Sequence, residues 1–378
     1  MSNEQIADLR RKADQGDAEA QFGLGLVYTL GHGVPQGYAK AREWYEQAAA
    51  QGYADAQVRL GALYAEGGGV PQDYAKARQW YEKAAAQGNG MAQSNLGALY
   101  EKGQGVPQDY TVACQWYEQA AAQGNGMAQS NLGALYQFGW GIMQDYTKAR
   151  QWFEQAAAQG NAPAQNNLGS LYAKGQGVPQ DYTKARQWYE QAAAQDDESA
   201  QNNLGALYAD GQGVPQDYTV ARQWFEQAAA QGHADAQYNL GLMYANGKGV
   251  PQDYAQARQW YEKAAVQGNA KAQYNLGFLY QKGHGVPQDY AQAAKWFEQA
   301  AAQGYADAQA LLGVLYALGQ GVPQDYVRAY MWSDLAAVSG DEAMVLARDL
   351  VASRMTPAQI AEAQQLSQQC QTRQFKGC

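Results

Sequence analysis

A chain of 378 residues with 36 acidic against 27 basic side chains, net charge −9, has the wrong sign for a surface that gathers phosphates, which disfavours nucleic acid and anionic membranes as partners. No apolar run approaches the ~20 residues that a bilayer crossing needs, and the opening MSNEQIADLRRKADQGD holds no apolar leader, so the chain as written is expected to be soluble. Three cysteines, Cys114, Cys370 and Cys378, supply neither a disulfide scaffold nor a metal cluster.

From the N-terminus, Ser2 with Gln5 resembles a capping box opening a helix through Ile6, Leu9 and Ala13, and residues 1–17 are expected to cover the segment that begins at Ala18. Next comes YTLGHGVPQGYAK, Tyr28 to Lys40, a glycine-rich loop that invites comparison with phosphate cradles. Two observations remove that reading. Gln36 stands where the dinucleotide fingerprint needs its third glycine. The loop also recurs: Pro71 and Pro107 are 36 positions apart, and Pro179, Pro215, Pro251, Pro287 and Pro323 succeed one another at the same interval, each in a copy of GxGVPQDY with no fixed basic residue. It is a connector within a tandem repeat. The pattern AxAQxxLGxLYxxGxGVPQDYxxAxxWYExAAAQGx returns nine times, at 18–53, 54–89, 90–125, 126–161, 162–197, 198–233, 234–269, 270–305 and 306–341.

Each unit predicts a helix pair. In the second, Ala56, Leu60 and Leu63 share one face of a first helix, and Tyr74, Ala77, Tyr81, Ala84 and Ala85 share one face of a second. Gly67 suits a left-handed C-cap, Pro71 stops continuation, Asp73 caps the second helix and Gly88 ends it. A mid-helix glycine such as Gly61 costs ~1 kcal/mol against alanine, which predicts a close backbone approach there. Gln57 and its counterparts, at the edge of the buried face, are expected to bond the neighbouring repeat's backbone. After Asp341, EAMVLARDLVASRM and TPAQIAEAQQLSQQC read as two further helices, so 342–378 forms a C-terminal cap and tail.

Candidate chemistry is sparse. His32 and His284 fill the variable slot of two connectors and His233 an inter-repeat turn, without metal-site spacing. Asp73 and its seven equivalents serve one cap position, and a residue used eight times for capping is not a catalytic acid. Arg78 with Glu82 is a helical ion pair that Cys114 interrupts in the third repeat. No catalytic residue, cofactor or metal is therefore expected. Cys370 and Cys378 are close enough to close a small loop in an oxidising compartment.

The repeated unit resembles the Sel-one-like repeat family, relatives of the tetratricopeptide repeat, over about 324 of 378 residues. The resemblance implies an all-α fold, a right-handed α/α superhelical solenoid of nine 36-residue helix-pair repeats with helical caps. It implies adaptor, regulatory or host-interaction work through protein binding, and a concave surface lined by first helices. Some relatives carry a cysteine pair in every repeat and are linked to penicillin binding; with only Cys114 in the repeats, that activity is not carried over. An exported enzyme acting on cell-wall material or β-lactams, and a glycan or small-ligand receptor, are the alternatives. The tail FKGC also occurs in exported members, which implies a periplasmic or secreted setting if a leader has been removed and a cytoplasmic one otherwise.

On that implied groove, counting each first helix from its opening residue, positions five and nine carry the variation. The seventh and eighth repeats present Tyr238, Leu242, Tyr274 and Phe278 together, and Asn166 and Asn202 hold position five in the fifth and sixth. Large amphipathic side chains of this kind serve as protein hot spots. The fourth connector, GWGIMQDY, brings Trp140 beside Phe138 and offers a second contact patch. These eight residues are the expected partner-binding set, for a protein or peptide.

Overall fold

The computed structural model describes residues 2–338, 340–375 and 377–378, apart from the side chain of Asn3. Among these residues it contains 21 helices and no strand, and no helix is long and apolar enough to cross a membrane. The chain divides into two compact units, residues 1–192 and 193–378. Within each, helix pairs stack in single file, as 36-residue modules that cannot bury an apolar face alone must do.

The second repeat shows why the pairs form where they do. Its first helix, Ala54–Glu66, ends on Gly67 at φ 76°, a left-handed turn that favours glycine. The second, Tyr74–Ala85, opens on Asp73, whose carboxylate accepts from the Lys76 N–H at 3.0 Å, a cap worth ~1 kcal/mol. Between them Gln72 donates both to the Ala65 carbonyl at 2.8 Å and to the Tyr74 hydroxyl at 2.9 Å, closing the connector on itself. Ala56, Leu60, Ala77 and Ala84 are wholly buried, with Leu63 and Tyr81 nearly so.

The mid-helix glycines have a cause besides the one expected. A Cβ on Gly97, Gly133 or Gly241 would lie 2.5–2.7 Å from the ring of Tyr117, Phe153 or Tyr261 on the same repeat's second helix. The glycine makes room for that ring and also for the second helix's backbone: a Cβ on Gly205, Gly277 or Gly313 would stand 3.0–3.2 Å from the carbonyl oxygen of Ala221, Ala293 or Ala329. Close backbone approach also occurs in the connectors: a Cβ on Gly105 or Gly177 would stand 2.7–2.8 Å from the carbonyl carbon of Tyr74 or Tyr146 in the preceding repeat.

Repeats are also stitched by amides. Gln57, buried, donates to the Ala49 carbonyl of the preceding repeat at 3.3 Å and accepts from Gln87 at 2.9 Å. In the second unit Gln273 repeats this with Ala265 at 3.0 Å and Gln303 at 2.8 Å. Each satisfied amide avoids the ~1–3 kcal/mol cost of an orphaned buried group.

At the ends, Ser2 and Gln5 form a capping box over Asn3–Asp14, and Leu9 and Ala13 cover the first repeat. Two closing helices, Glu342–Ala352 and Pro357–Thr372, lie against the ninth repeat's second helix, Tyr326–Ala337. Cys370 and Cys378 are joined in a disulfide with Cα atoms 5.6 Å apart.

Candidate functional site

The second unit carries three hollows built on one plan. Each lies between the first helices of successive modules and is lined by positions nine, twelve and thirteen of one and positions six, nine and ten of the next. The opening tyrosine and the glycine-covering residue of the intervening second helix complete it. The first hollow, between Glu198–Asp210 and Ala234–Asn246, has Phe225 as that ring, Leu242 on its wall and Asp210 with Lys248 at its rim. The second, between Ala234–Asn246 and Ala270–Lys282, shares Leu242 and Asn246 with the first and adds Phe278, Tyr261 and His284. The third lies between Ala306–Leu318 and the closing helix Glu342–Ala352.

That closing helix continues the repeat register. Counted from Glu342, Leu346 falls at position five and Leu350 at position nine, as Ala310 and Val314 do in the ninth repeat. Apolar exposure runs down position nine: Phe278 is 36% exposed, Val314 38% and Leu350 63%. Position five behaves otherwise. Val58, Ser94 and Ser130 are buried there, and Tyr238 and Tyr274 are half-buried. The Tyr238 ring leans on Tyr261 at 6.0 Å between centroids, and Tyr274 leans on Phe297 at 5.9 Å and Tyr305 at 5.2 Å.

Asparagines knit this face. Asn239 donates to the Asn202 side chain at 3.0 Å, and the Asn275 amide lies near both the Tyr238 and the Tyr261 hydroxyl. Burial is the leading cause that pushes Tyr238, Tyr274 and Tyr261 above the ordinary tyrosine range; for Tyr261 the neighbouring Tyr238 adds to it. These hydroxyls therefore stay neutral donors at physiological pH.

Of the expected partner-binding residues, Leu242 and Phe278 line hollows, while Tyr238, Tyr274 and Asn202 stand beside them in packed or bonded positions. Asn166, Phe138 and Trp140 belong to the first unit. There Asn166 is half-buried on Ala162–Lys174. Phe138 stacks on Trp140 at 4.7 Å, Trp140 reaches Tyr110 at 5.4 Å, and both residues are exposed. Trp140 fills a slot whose occupant often covers the preceding repeat's opening tyrosine: Gln104 bonds the Tyr74 hydroxyl, Lys248 sits over the Tyr218 ring and His284 stacks on Tyr254. His233 caps a helix, its Nδ1 accepting from the Ala236 N–H at 3.2 Å. Cys114 is buried, and burial followed by Glu118 pushes its thiol up to about 11, so it holds little nucleophilic thiolate.

Sequence reasoning missed Val314, Leu350, Ser333 and Arg354, which line the third hollow. The signal was available in the 36-residue count carried past Asp341.

The Sel1 repeat model matches residues 18–53, 54–89, 90–125, 126–161, 162–197, 198–233, 234–269, 270–305 and 306–341. Among solved structures, the chain is 36% identical, over 96% of its length, to a protective antigen present in uropathogenic Escherichia coli strains and displaying an SLR fold; the match covers 85% of that chain with a TM-score of 0.56. It is 37% identical over 82% of its length to a Sel1 repeat protein from Oxalobacter formigenes, covering 90% of that chain with a TM-score of 0.58. Comparison with curated proteins finds no match.

Proposed function

The chain belongs to the Sel1 repeat family, and on that premise we propose that it is a non-catalytic scaffold which holds an extended segment of a partner protein along the first-helix face of its second unit. The observation that carries this reading is the recurrence of one hollow in register, with Leu242 shared between two of them. Leu242 walls both hollows, so the two adjoin, and successive anchors of one extended segment reach first one and then the other. Volumes of about 190 and 210 Å³ suit inserted side chains and fall below the ~300 Å³ at which enclosed small-ligand sites begin. Affinity comes from the apolar anchors Leu242 and Phe278, and Asn202, Tyr238 and Tyr274 set the walls that hold them. In the first unit, Phe138 and Trp140 offer a second contact, with Asn166 on a neighbouring first helix. A relative that is a protective antigen supports a host-facing setting for such binding.

Peptides selected on the purified protein from a random library test the reading. They should carry spaced apolar anchor residues and bind a Leu242→Ser/Phe278→Ser variant about tenfold or more weakly, with its helix content intact by circular dichroism. Undiminished binding to that variant rejects this face as the working surface, and saturable turnover of a chromogenic β-lactam replaces the scaffold by an enzyme.

A further inference from the structure

The third hollow differs from its equivalents at its floor. Tyr45, Tyr81, Tyr117, Phe153, Tyr189, Phe225, Tyr261 and Phe297 put a ring against the mid-helix glycine in the first eight repeats, and the ninth has Ser333 there. Gly313 is kept all the same, with the Ser333 hydroxyl 2.5 Å from where its Cβ would stand. The wall changes with the floor. Position six, Asn239 in the first hollow and Asn275 in the second, is Ala347, and position thirteen, Asp210 and Asn246, is Leu318. What remains is an apolar hollow of about 140 Å³ walled by Val314, Leu318, Leu350 and Val351, with Leu318 55% and Leu350 63% exposed at its mouth.

One charge lines it. Arg354 stands at the position that Asn246 holds in the first hollow, is exposed, and makes no ion pair among the described residues, whereas nearby Arg348 is held by Asp334 and Asp349 and Arg328 by Asp325. No carboxylate lines this hollow. A free cation beside an apolar slot, in a chain of net charge −9, complements an apolar group that carries an anion next to it.

We propose that the hollow between the ninth repeat and the closing helix is a recognition pocket for an aromatic side chain of a partner peptide followed directly by an acidic residue, the ring entering over Ser333 and the carboxylate meeting Arg354. This names the anchor of the scaffold reading and rests on it.

The test measures fluorescence anisotropy of two labelled peptides on the full chain, one with a central Phe-Asp and one with Phe-Asn. Phe-Asp should bind more tightly by about threefold to fivefold, the range of an exposed ion pair, and Arg354→Gln should erase the difference. Ser333→Phe, which restores the ring of the other repeats, should weaken both peptides about tenfold or more while keeping or raising the melting temperature. Leu350→Ser gives the same loss if Ser333→Phe does not fold. Equal binding of the two peptides, or unchanged binding to Ser333→Phe and Leu350→Ser, overturns the proposal. So does a concentration-dependent dimer in sedimentation that Leu350→Ser dissolves, since a second copy would then be the occupant. Library peptides that still depend on Leu242 and Phe278 in any of these cases leave the scaffold reading standing.

Discussion

Gly241 and Gly232 lie nine positions apart and are glycine for unrelated reasons. Gly232 takes φ 98° with open space where a Cβ would be, so only its backbone conformation demands it. Gly241 is helical, and a Cβ there would stand 2.5 Å from the Tyr261 ring. In an open helix Gly→Ala gains ~1 kcal/mol; against a buried ring, overpacking costs ~1–3 kcal/mol. The second effect should win because Tyr261 is 2% exposed, and its ring could yield only by shifting into the hollow it lines and giving up its packed contacts. Gly241→Ala should therefore lower stability by up to about 2 kcal/mol, read as a lower urea midpoint with an unchanged slope. A rise in the midpoint would show that the ring can step aside.

The helix pair shows how much a sequence can state about its own structure. Nine near-copies make the caps, stops and connectors visible, because Gly67 recurs in all of them and Pro71 and Asp73 in eight each, Met143 and Gly37 being the exceptions, and local chemistry alone decides them. Much of the candidate site depends on tertiary neighbours and was less legible. Whether Tyr238 faces solvent or leans inward is decided by Tyr261 on the partner helix and by Asn275 one repeat on. The exposure of Leu350 arises because the closing helix sits in the register of a tenth first helix, where WSD in place of WYE was the mark that the ninth repeat had changed. The same rings give the helix pair its pH dependence. Tyr45, Tyr81, Tyr117, Tyr189 and Tyr261 are held above the ordinary value of ~10, with burial the leading cause for each. The unfolded chain ionises first as pH climbs, so their contribution is whole below pH ~10 and is lost above it, through the raised folded values. Melting temperature should fall steeply above pH ~10, and Tyr261→Phe, which copies the eighth repeat, should soften that fall. A flat profile would mean that the hydroxyls are hydrated in the native state.

At the scale of the whole molecule, a stack whose modules touch only their neighbours distributes stability locally, and an end is the place where one partner is missing. The C-terminal end meets this with a helix and a covalent tie. Pro357–Thr372 lays Ala363 and Cys370 against the ninth repeat, and the Phe375 ring packs over Gly304. The Cys370–Cys378 bond then holds the tail within reach of that contact. A bridge over so short a loop restricts the unfolded chain by about 2–3 kcal/mol, and nearest-neighbour coupling confines that amount to the modules beside it. Reduction, or Cys370→Ser with Cys378→Ser, should therefore raise amide hydrogen exchange in Pro357–Thr372 and the ninth repeat. The second to fourth repeats should keep their protection. Exchange that rises evenly along all nine repeats would mean that the array melts as one cooperative body, and the modular account of its stability would fail.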